Sequence, residues 1–338
     1  MVNAKNAIEV SGLVKKFGSL AAVDDVSFNV PEGEFFGFLG PNGAGKTTLI
    51  RMLTTLLKPT SGKAVVAGID VSVSPQEVRK KIGVVPQALT SDLDLTGYEN
   101  MDLYGRFYSI PSRERKEKIK NLFEIIGLSN RQNDLVATYS GGMRRRLELA
   151  RVLVHAPKVL FLDEPTIGLD PQSRRVVWEF LEKFRKDYSL TIFLSTHYME
   201  EAEALCERLA IIDNGKIIAL DSPAKLKSEL PGNDIIYLTL SDISKISHVE
   251  DKIKGLPFVH NVIIDGATLR VYVDNGALDF SPLVDSVKEA GGIVTSVNIH
   301  QLSIEDVFIH HTGKSIREEG AKKINFFVGA GLPQKLSR

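Results

Sequence analysis

Residues 40–47 read Gly40-Pro41-Asn42-Gly43-Ala44-Gly45-Lys46-Thr47, the G-x-x-x-x-G-K-[ST] spacing, placed after the apolar run 35–39 and before a helix-forming stretch. Three glycines leave bare backbone whose N–H groups can close around phosphate oxygens, and the helix start adds partial positive charge. Lys46 supplies a point charge for β- and γ-phosphates, Thr47 a hydroxyl for Mg²⁺, and Thr48 extends the same first turn. A triphosphate carries too much charge for side chains alone to hold. The loop therefore predicts a phosphorylated nucleotide with Mg²⁺, against the alternative of a chance glycine-rich turn.

A second constellation ends the apolar run 159–162 with Asp163-Glu164. Adjacent carboxylates at the end of a buried strand cost desolvation energy unless a cation or a proton transfer uses them. Asp163 is expected to bind Mg²⁺, directly or through water, and Glu164 to act as general base on an attacking water. Capping of the next helix is the structural alternative. Gln87, closing the strand-like "GVVPQ", can reach the metal and the water with its amide. His197 follows the apolar strand 190–196 and can bond the γ-phosphate while holding Glu164 in register.

These residues need a scaffold of alternating strands and helices. Two strands in "AIEVSGLVKKFG" and "AAVDDVSFNV" lead through "PEGE" to the strand "FFGFL". A helix then carries Leu49, Met52, Leu53, Leu56 and Leu57 at helical spacing and stops at "KPTSG". Strands in "KAVVAGIDV" and "KIGVVPQ" follow. Helical character runs from about 97 to 138, with the stripe Ile119, Leu122, Phe123 and Ile126 beside the charged "RERKEKIK", read as a solvated face. Strands return at 158–165 and 190–196 around a helix through Val176, Val177, Phe180, Leu181 and Phe184. Asn214-Gly215 between two apolar runs predicts a hairpin. Proline, glycine and charge accumulate near 222–234, placing a domain boundary at about 230. Beyond it the order β-α-β-β-α-β predicts a ferredoxin-like split βαβ module over 231–314, and 315–338 reads as a loose tail.

With 338 residues, 43% apolar and a quarter charged, the chain has the composition of a soluble two-domain α/β protein. Forty-two basic residues balance 42 acidic ones, so no global field recruits nucleic acid, and no nucleic-acid partner is expected. The single Cys206 excludes an intramolecular disulfide and reads as a small buried filler on a helix. No run approaches 18 apolar residues and the N-terminus has no apolar leader, so any role at a membrane is expected to come through a partner.

The segment "YSGGMRRRLELARVL" (139–153) offers a second backbone cradle at a helix start, with no phosphate of its own chain left to bind. Here the sequence resembles the ATP-binding cassette (ABC) ATPase family. Six elements stand in that family's order: the P-loop 40–47, the Q-loop Gln87, the signature Ser140-Gly141-Gly142, the Walker B segment 159–164, the D-loop "GLD" 168–170 and the switch His197. The resemblance implies a cassette with a mixed sheet and a helical subdomain at about 90–155. It also implies head-to-tail pairing of two copies, each ATP lying between one P-loop and the partner copy's signature, with Asp170 linking the two sites. Phe17, 29 positions before Lys46, matches the family's adenine-stacking aromatic, a core aromatic being the alternative. Tyr139 replaces the usual Leu and Met143 the usual Gln, which puts side-chain contacts there in doubt.

Within the family the chain is similar to ATP-binding subunits of daunorubicin-resistance exporters, on "YSGGMRRRLELARVLVHAPKVLFLDEPTIGLDP" and "SIEDVFIHHTGK". That likeness implies separate membrane permeases, export, and a place on the cytoplasmic face of the cell membrane. Residues 91–108 lie where the family docks its permease, though their aromatics suit a subdomain core equally. The competing reading, a soluble cassette acting as a mechanical switch on a non-membrane partner, lacks the second cassette or coiled-coil insertion that such relatives carry. A GTPase lacks its Asn-Lys-x-Asp element. The C-terminal module is expected to regulate or stabilise the dimer, and the adjacent His310 and His311, expected on different sides of a helix, argue against a metal pair.

Overall fold

The computed structural model describes residues 5–312. They form two compact units, divided between Asp221 and Ser222. In chain order the first unit runs β1 (Asn6–Phe17), β2 (Leu20–Pro31), β3 (Phe35–Leu39), α1 (Lys46–Leu53), β4 (Ser61–Val66), β5 (Ile69–Asp70), α2 (Pro75–Lys81), β6 (Ile82–Val85), α3 (Gly97–Phe107), α4 (Ser112–Ile125), α5 (Gly141–Leu153), β7 (Val159–Asp163), α6 (Pro171–Tyr188), β8 (Thr191–Thr196), α7 (Met199–Leu205), β9 (Arg208–Asp213) and β10 (Lys216–Asp221).

Two sheets share its core. An antiparallel sheet has the order β2-β1-β4-β5; the larger has the order β10-β9-β3-β8-β7-β6, with β9, β3, β8, β7 and β6 mutually parallel and β10 antiparallel at one edge. Every residue of β3, β7 and β8 is buried, as expected of parallel strands covered on both faces. Between the sheets Phe28 stacks on Phe36 with centroids 5.4 Å apart, and Phe38, Phe161 and Phe193 complete the ring cluster. Asn214 and Gly215, with φ of 47° and 80°, turn the β9–β10 hairpin as the dipeptide predicts.

In this unit three expectations are corrected. Helix α1 ends at Leu53, because the Thr54 hydroxyl bonds the Ile50 carbonyl and Thr55 takes a positive φ, so Leu56 leaves the apolar stripe and is 69% exposed. The charged run on α4 is not wholly solvated. Arg115 is 8% exposed, pairs with Asp102 and donates to the Ile110 carbonyl at 2.6 Å. Its stem crosses α3 at Gly105, where an added Cβ would lie 2.4 Å from Arg115 Cδ. Cys206, although buried, lies just past the end of α7.

The second unit comprises α8 (Pro223–Ser228), β11 (Asp234–Leu240), α9 (Ile246–Lys254), β12 (Val259–Asp265), β13 (Thr268–Val273), α10 (Gly276–Glu289), β14 (Val294–Gln301) and α11 (Ile304–Thr312). Its division at 221/222 precedes the expected position of about 230 because α8 packs on α11. The sheet is antiparallel throughout in the order β12-β13-β11-β14, the pairing of a split βαβ unit. Ile236, Leu238, Val249, Ile253, Leu283 and Val287 are among its core. His310 and His311 do not diverge as expected: their rings meet edge to face, centroids 5.5 Å apart. Among the described residues no cluster of His, Cys, Asp or Glu is arranged to hold a metal. The 315–338 segment lies outside the described residues.

Candidate functional site

The parallel sheet brings the sequence-predicted groups to one edge. Leu39 pairs with Thr196, Asp163 with Ser195 and Val85 with Leu162. The loops that follow β3, β6, β7 and β8 therefore leave the same carboxyl edge from neighbouring strands, where open α/β sheets place ligands. Those loops carry residues 40–45, Gln87, Glu164 and His197.

In the glycine loop the structure divides the work among the three glycines. A Cβ on Gly40 would lie 2.3 Å from the Ile212 carbonyl, and one on Gly45, at φ 108°, 2.3 Å from the Ala22 carbonyl. Those two are required by close backbone packing, whereas a Cβ on Gly43 would meet nothing. The Gly215 N–H donates to the Ala44 carbonyl at 3.0 Å, so the β9–β10 turn buttresses the loop. Helix α1 starts on Gly45 with no side-chain cap. Its first-turn N–H groups, at Lys46, Thr47 and Thr48, are the donors that an anion at a helix N-terminus uses.

Lys46 is buried and donates to the Gly40 and Pro41 carbonyls at 2.7 and 3.1 Å. It also lies 3.0 Å from Glu164 Oε1. The other Glu164 oxygen meets His197 Nδ1. Burial pushes the Glu164 carboxyl up, but the His197 hydrogen bond and the Lys46 charge outweigh it and hold it below the ordinary glutamate range. Glu164 has φ 49°, a left-handed conformation costing on the order of 1–3 kcal/mol in a non-glycine residue. Its N–H is anchored by the Ser195 carbonyl at 3.0 Å and Ser195 Oγ at 3.2 Å.

Asp163 accepts from Ser195 Oγ at 2.7 Å and from Thr47 Oγ1 at 3.2 Å. A cavity of about 560 Å³ beside it is lined by Thr47, Arg51, Pro86, Gln87, Asp163 and Ile167. Thr47, Gln87 and Asp163 bring hydroxyl, amide and carboxylate oxygens to this lining, a hard donor set that fits Mg²⁺. Gln87 stands two residues past the end of β6, exposed, its carbonyl bonded by Arg145 at 2.8 Å.

The signature segment lies on α5. Ser140 caps that helix, accepting from the Met143 N–H at 3.3 Å, and Ser140 and Gly141 are exposed. A Cβ on Gly141 would meet only Leu169 Cδ2, at 3.9 Å. Tyr139, the departure from the family pattern, is buried, and its hydroxyl donates to the Arg131 carbonyl at 2.6 Å, pinning the segment from below. Asp170 caps α6 through the Ser173 N–H and hydroxyl at 2.9 and 2.6 Å, and these bonds lower its pKa. Phe17 is 52% exposed at the end of β1, so the core alternative for it does not hold. In 91–108 the two readings separate by residue. Gly97, Asn100, Met101 and Gly105 are buried, Tyr104 and Tyr108 pack around His155, and Phe107 is 75% exposed.

Sequence reasoning missed Ser195, which orients both carboxylates, and Tyr198, whose ring lies tilted against His197 at 4.1 Å and under the Arg174 guanidinium at 4.1 Å. It also missed Glu201, fully buried, whose Oε1 accepts from Thr166 and from the indole of Trp178, both at 2.9 Å. Burial raises its pKa. A serine inside an apolar strand was the available signal for Ser195; the others depend on tertiary neighbours.

The model of the family described as "ABC transporter" matches residues 23–167. The daunorubicin/doxorubicin resistance ATP-binding protein DrrA of Streptomyces peucetius is 40% identical over 308 residues, 91% of this chain and 92% of that protein. The chain belongs to the ABC transporter ATP-binding family. The cassette also matches a Nod factor export ATP-binding protein I from Ralstonia nicotianae, 37% identical over 92% of this chain and 95% of that one. Among solved structures, it resembles a dimeric ATP-binding cassette in a post-hydrolysis state with ADP and Pi, at a TM-score of 0.58 and 26% identity, over 64% of this chain and 98% of the other. As an ABC ATPase, this protein binds and hydrolyses ATP. No helix among its described residues is long and apolar enough to cross a membrane.

Proposed function

We propose that this cassette is the ATP-hydrolysing subunit of an exporter. Two copies close head to tail around two Mg-ATP, and the closure drives separate membrane permeases. The observation that carries the reading is the buried carboxylate Glu164, held between Lys46 and His197 at the foot of the phosphate loop.

In each site the N–H groups of residues 43–48 and Lys46 bind the phosphates, and Phe17 stacks on adenine. Thr47, Gln87 and Asp163 would hold Mg²⁺, which would supply the positive charge that offsets the repulsion among the phosphate oxygens. Glu164, kept ionised by its neighbours, accepts the proton of the attacking water while the water oxygen adds to the γ-phosphorus and ADP leaves. His197 holds Glu164 and bonds the γ-phosphate. Ser140, Gly141 and Gly142 of the second copy close over that phosphate, supported by the exposure of Ser140 and Gly141, and Asp170 joins the two sites.

The permease surface is the outer face of α3 and the loop before it. Leu89, Leu93, Leu103 and Phe107 leave an apolar strip there while the inner face of the helix is core. On this reading the protein works at the cytoplasmic face of a membrane, and the relatives' printed functions support export. The second unit regulates or stabilises the dimer. Size-exclusion chromatography with light scattering tests the pairing: S140R should abolish the ATP-driven dimer and leave monomer nucleotide binding intact. A dimer that persists in S140R refutes the head-to-tail arrangement.

A further inference from the structure

The segment from Pro86 to Ser91 has no strand or helix, yet one face of α5 grips it. Arg145, Glu148 and Arg151 recur at three-residue spacing and so share a helix face. Arg145, 3% exposed, donates Nη1 to the Pro86 carbonyl at 2.9 Å and Nη2 to the Gln87 carbonyl at 2.8 Å. Its planar fork thus spans two successive carbonyls, a geometry a lysine cannot reproduce. Glu148, fully buried, accepts from the Thr90 N–H at 2.8 Å, from the Thr90 hydroxyl at 3.0 Å and from both the N–H and hydroxyl of Ser91. Arg151 bonds Glu148 at 2.7 Å and the Thr90 carbonyl at 3.2 Å, and lies over the Tyr104 ring.

The same helix begins at Ser140–Gly142. Arg145 is five residues further, a rise of about 7.5 Å along the axis. Between the exposed cradle and the Gln87 backbone there is only rigid helix and one bidentate contact. A displacement of the α5 N-terminus is carried to Gln87 without passing through a flexible segment.

We propose that Arg145 is a positioning residue. It ties the signature helix to the Q-loop, so that engagement of Ser140–Gly142 by one nucleotide sets the placement of Gln87 at the other. Glu148 and Arg151 hold the rest of the loop to the same helix. This rests on the reading of Gln87 as a metal-reaching residue, and the experiment separates the two.

The full chain is compared as wild type, R145M, Q87A and the double variant, with R145K as the milder change should R145M fold poorly. Hydrogen exchange reads the tie itself: the amides of 87–91 should exchange at least about tenfold faster in R145M and several-fold faster in R145K, with 40–53 unchanged. Turnover reads its use. R145M should lower kcat by about tenfold and raise the Mg²⁺ concentration for half-maximal activity, with the KM for ATP within about twofold, and the double variant should be no slower than the slower single one. R145K should give a partial kcat loss at a Tm near wild type. Unchanged exchange at 87–91, or kcat losses that multiply in the double variant, overturns the proposal. Should Q87A alone leave Mg²⁺ dependence and turnover unchanged, the metal assignment of Gln87 fails instead. The tie then stands if exchange at 87–91 rises and R145M is slow, and falls if either does not.

Discussion

Replacing Glu164 by glutamine keeps the shape of the site and removes one charge. Lys46 and Glu164 approach within 3.0 Å and are both at least nine-tenths buried, so little solvent screens the pair. Breaking a buried pair from one side costs about 3–5 kcal/mol, because the remaining charge stays buried. Lys46 keeps the Gly40 and Pro41 carbonyls as acceptors, which places E164Q at the lower end, about 3 kcal/mol. For a unit of this size that is a fall in Tm of about 6–12 °C without nucleotide. Phosphate then no longer competes with Glu164 for Lys46, so ATP should bind at least about tenfold tighter, a gain of about 1.4 kcal/mol. Loss of the general base should slow turnover by about 10²–10⁴-fold, some 3–5 kcal/mol in the barrier. Thermal unfolding with and without Mg-ATP, phosphate-release kinetics and light scattering measure all three, with a stable ATP-bound dimer expected. Turnover within threefold of wild type refutes the base assignment, and a nucleotide-free Tm equal to wild type refutes the charge argument.

Lys46→Ala should weaken nucleotide binding by about 10–100-fold in a fluorescent-nucleotide titration, since the α1 N–H groups remain but the point charge is gone. Ser195→Ala removes a 2.7 Å bond to Asp163 and the support of the Glu164 N–H. A Tm lower by the equivalent of about 1.5–3 kcal/mol and a raised Mg²⁺ requirement are expected. Glu164 has a folded pKa below its unfolded value, so its ionised form stabilises the fold above the unfolded pKa, about 4.3, and that contribution is lost as pH falls through the lower folded value. The Tm gap between wild type and E164Q should hold constant above about pH 5 and narrow only below about pH 4.3, and Glu164 should contribute no acidic limb to turnover between pH 5 and 8.

What the chain reveals by itself is what it writes locally. The glycine loop, the strand ending in Asp163-Glu164 and the Asn214-Gly215 turn each occupy a handful of consecutive residues, and residue type with spacing was enough to place them. The parallel order that brings His197 beside Glu164 was legible as a run of buried strands. Ser195 was not, because its meaning lies 32 residues away, in Asp163. Arg145 is one of three consecutive arginines in the sequence, and its partner Pro86 stands 59 residues back. Arg115 was misread for the same reason: a charged eight-residue run predicts a wet face unless a glycine on the facing helix opens room for one stem.

The two halves of the site are held by different kinds of contact, and this bears on which half moves. The phosphate loop is clamped by main chain: Gly45 against the Ala22 carbonyl, Gly40 against Ile212, and the Gly215 N–H on Ala44. Such contacts have almost no side-chain freedom to spend, so the P-loop behaves as a fixed frame around the nucleotide. The Gln87 loop is held instead by the side chains of Arg145, Glu148, Arg151 and, at Asp92, Asn100, all from helices of the helical subdomain. Its position follows those helices and not the sheet. Under the proposed function, a second cassette at Ser140 or a permease on Phe107 that tilts α3 and α5 would shift Gln87 against a stationary Asp163 and Thr47. The donor set proposed for Mg²⁺ would thereby be completed or broken while the phosphate grip stays unchanged. Under that division of labour, variants along the α5 grip alter kcat and metal dependence, variants in the glycine loop alter nucleotide affinity, and each class leaves the other's parameter nearly untouched.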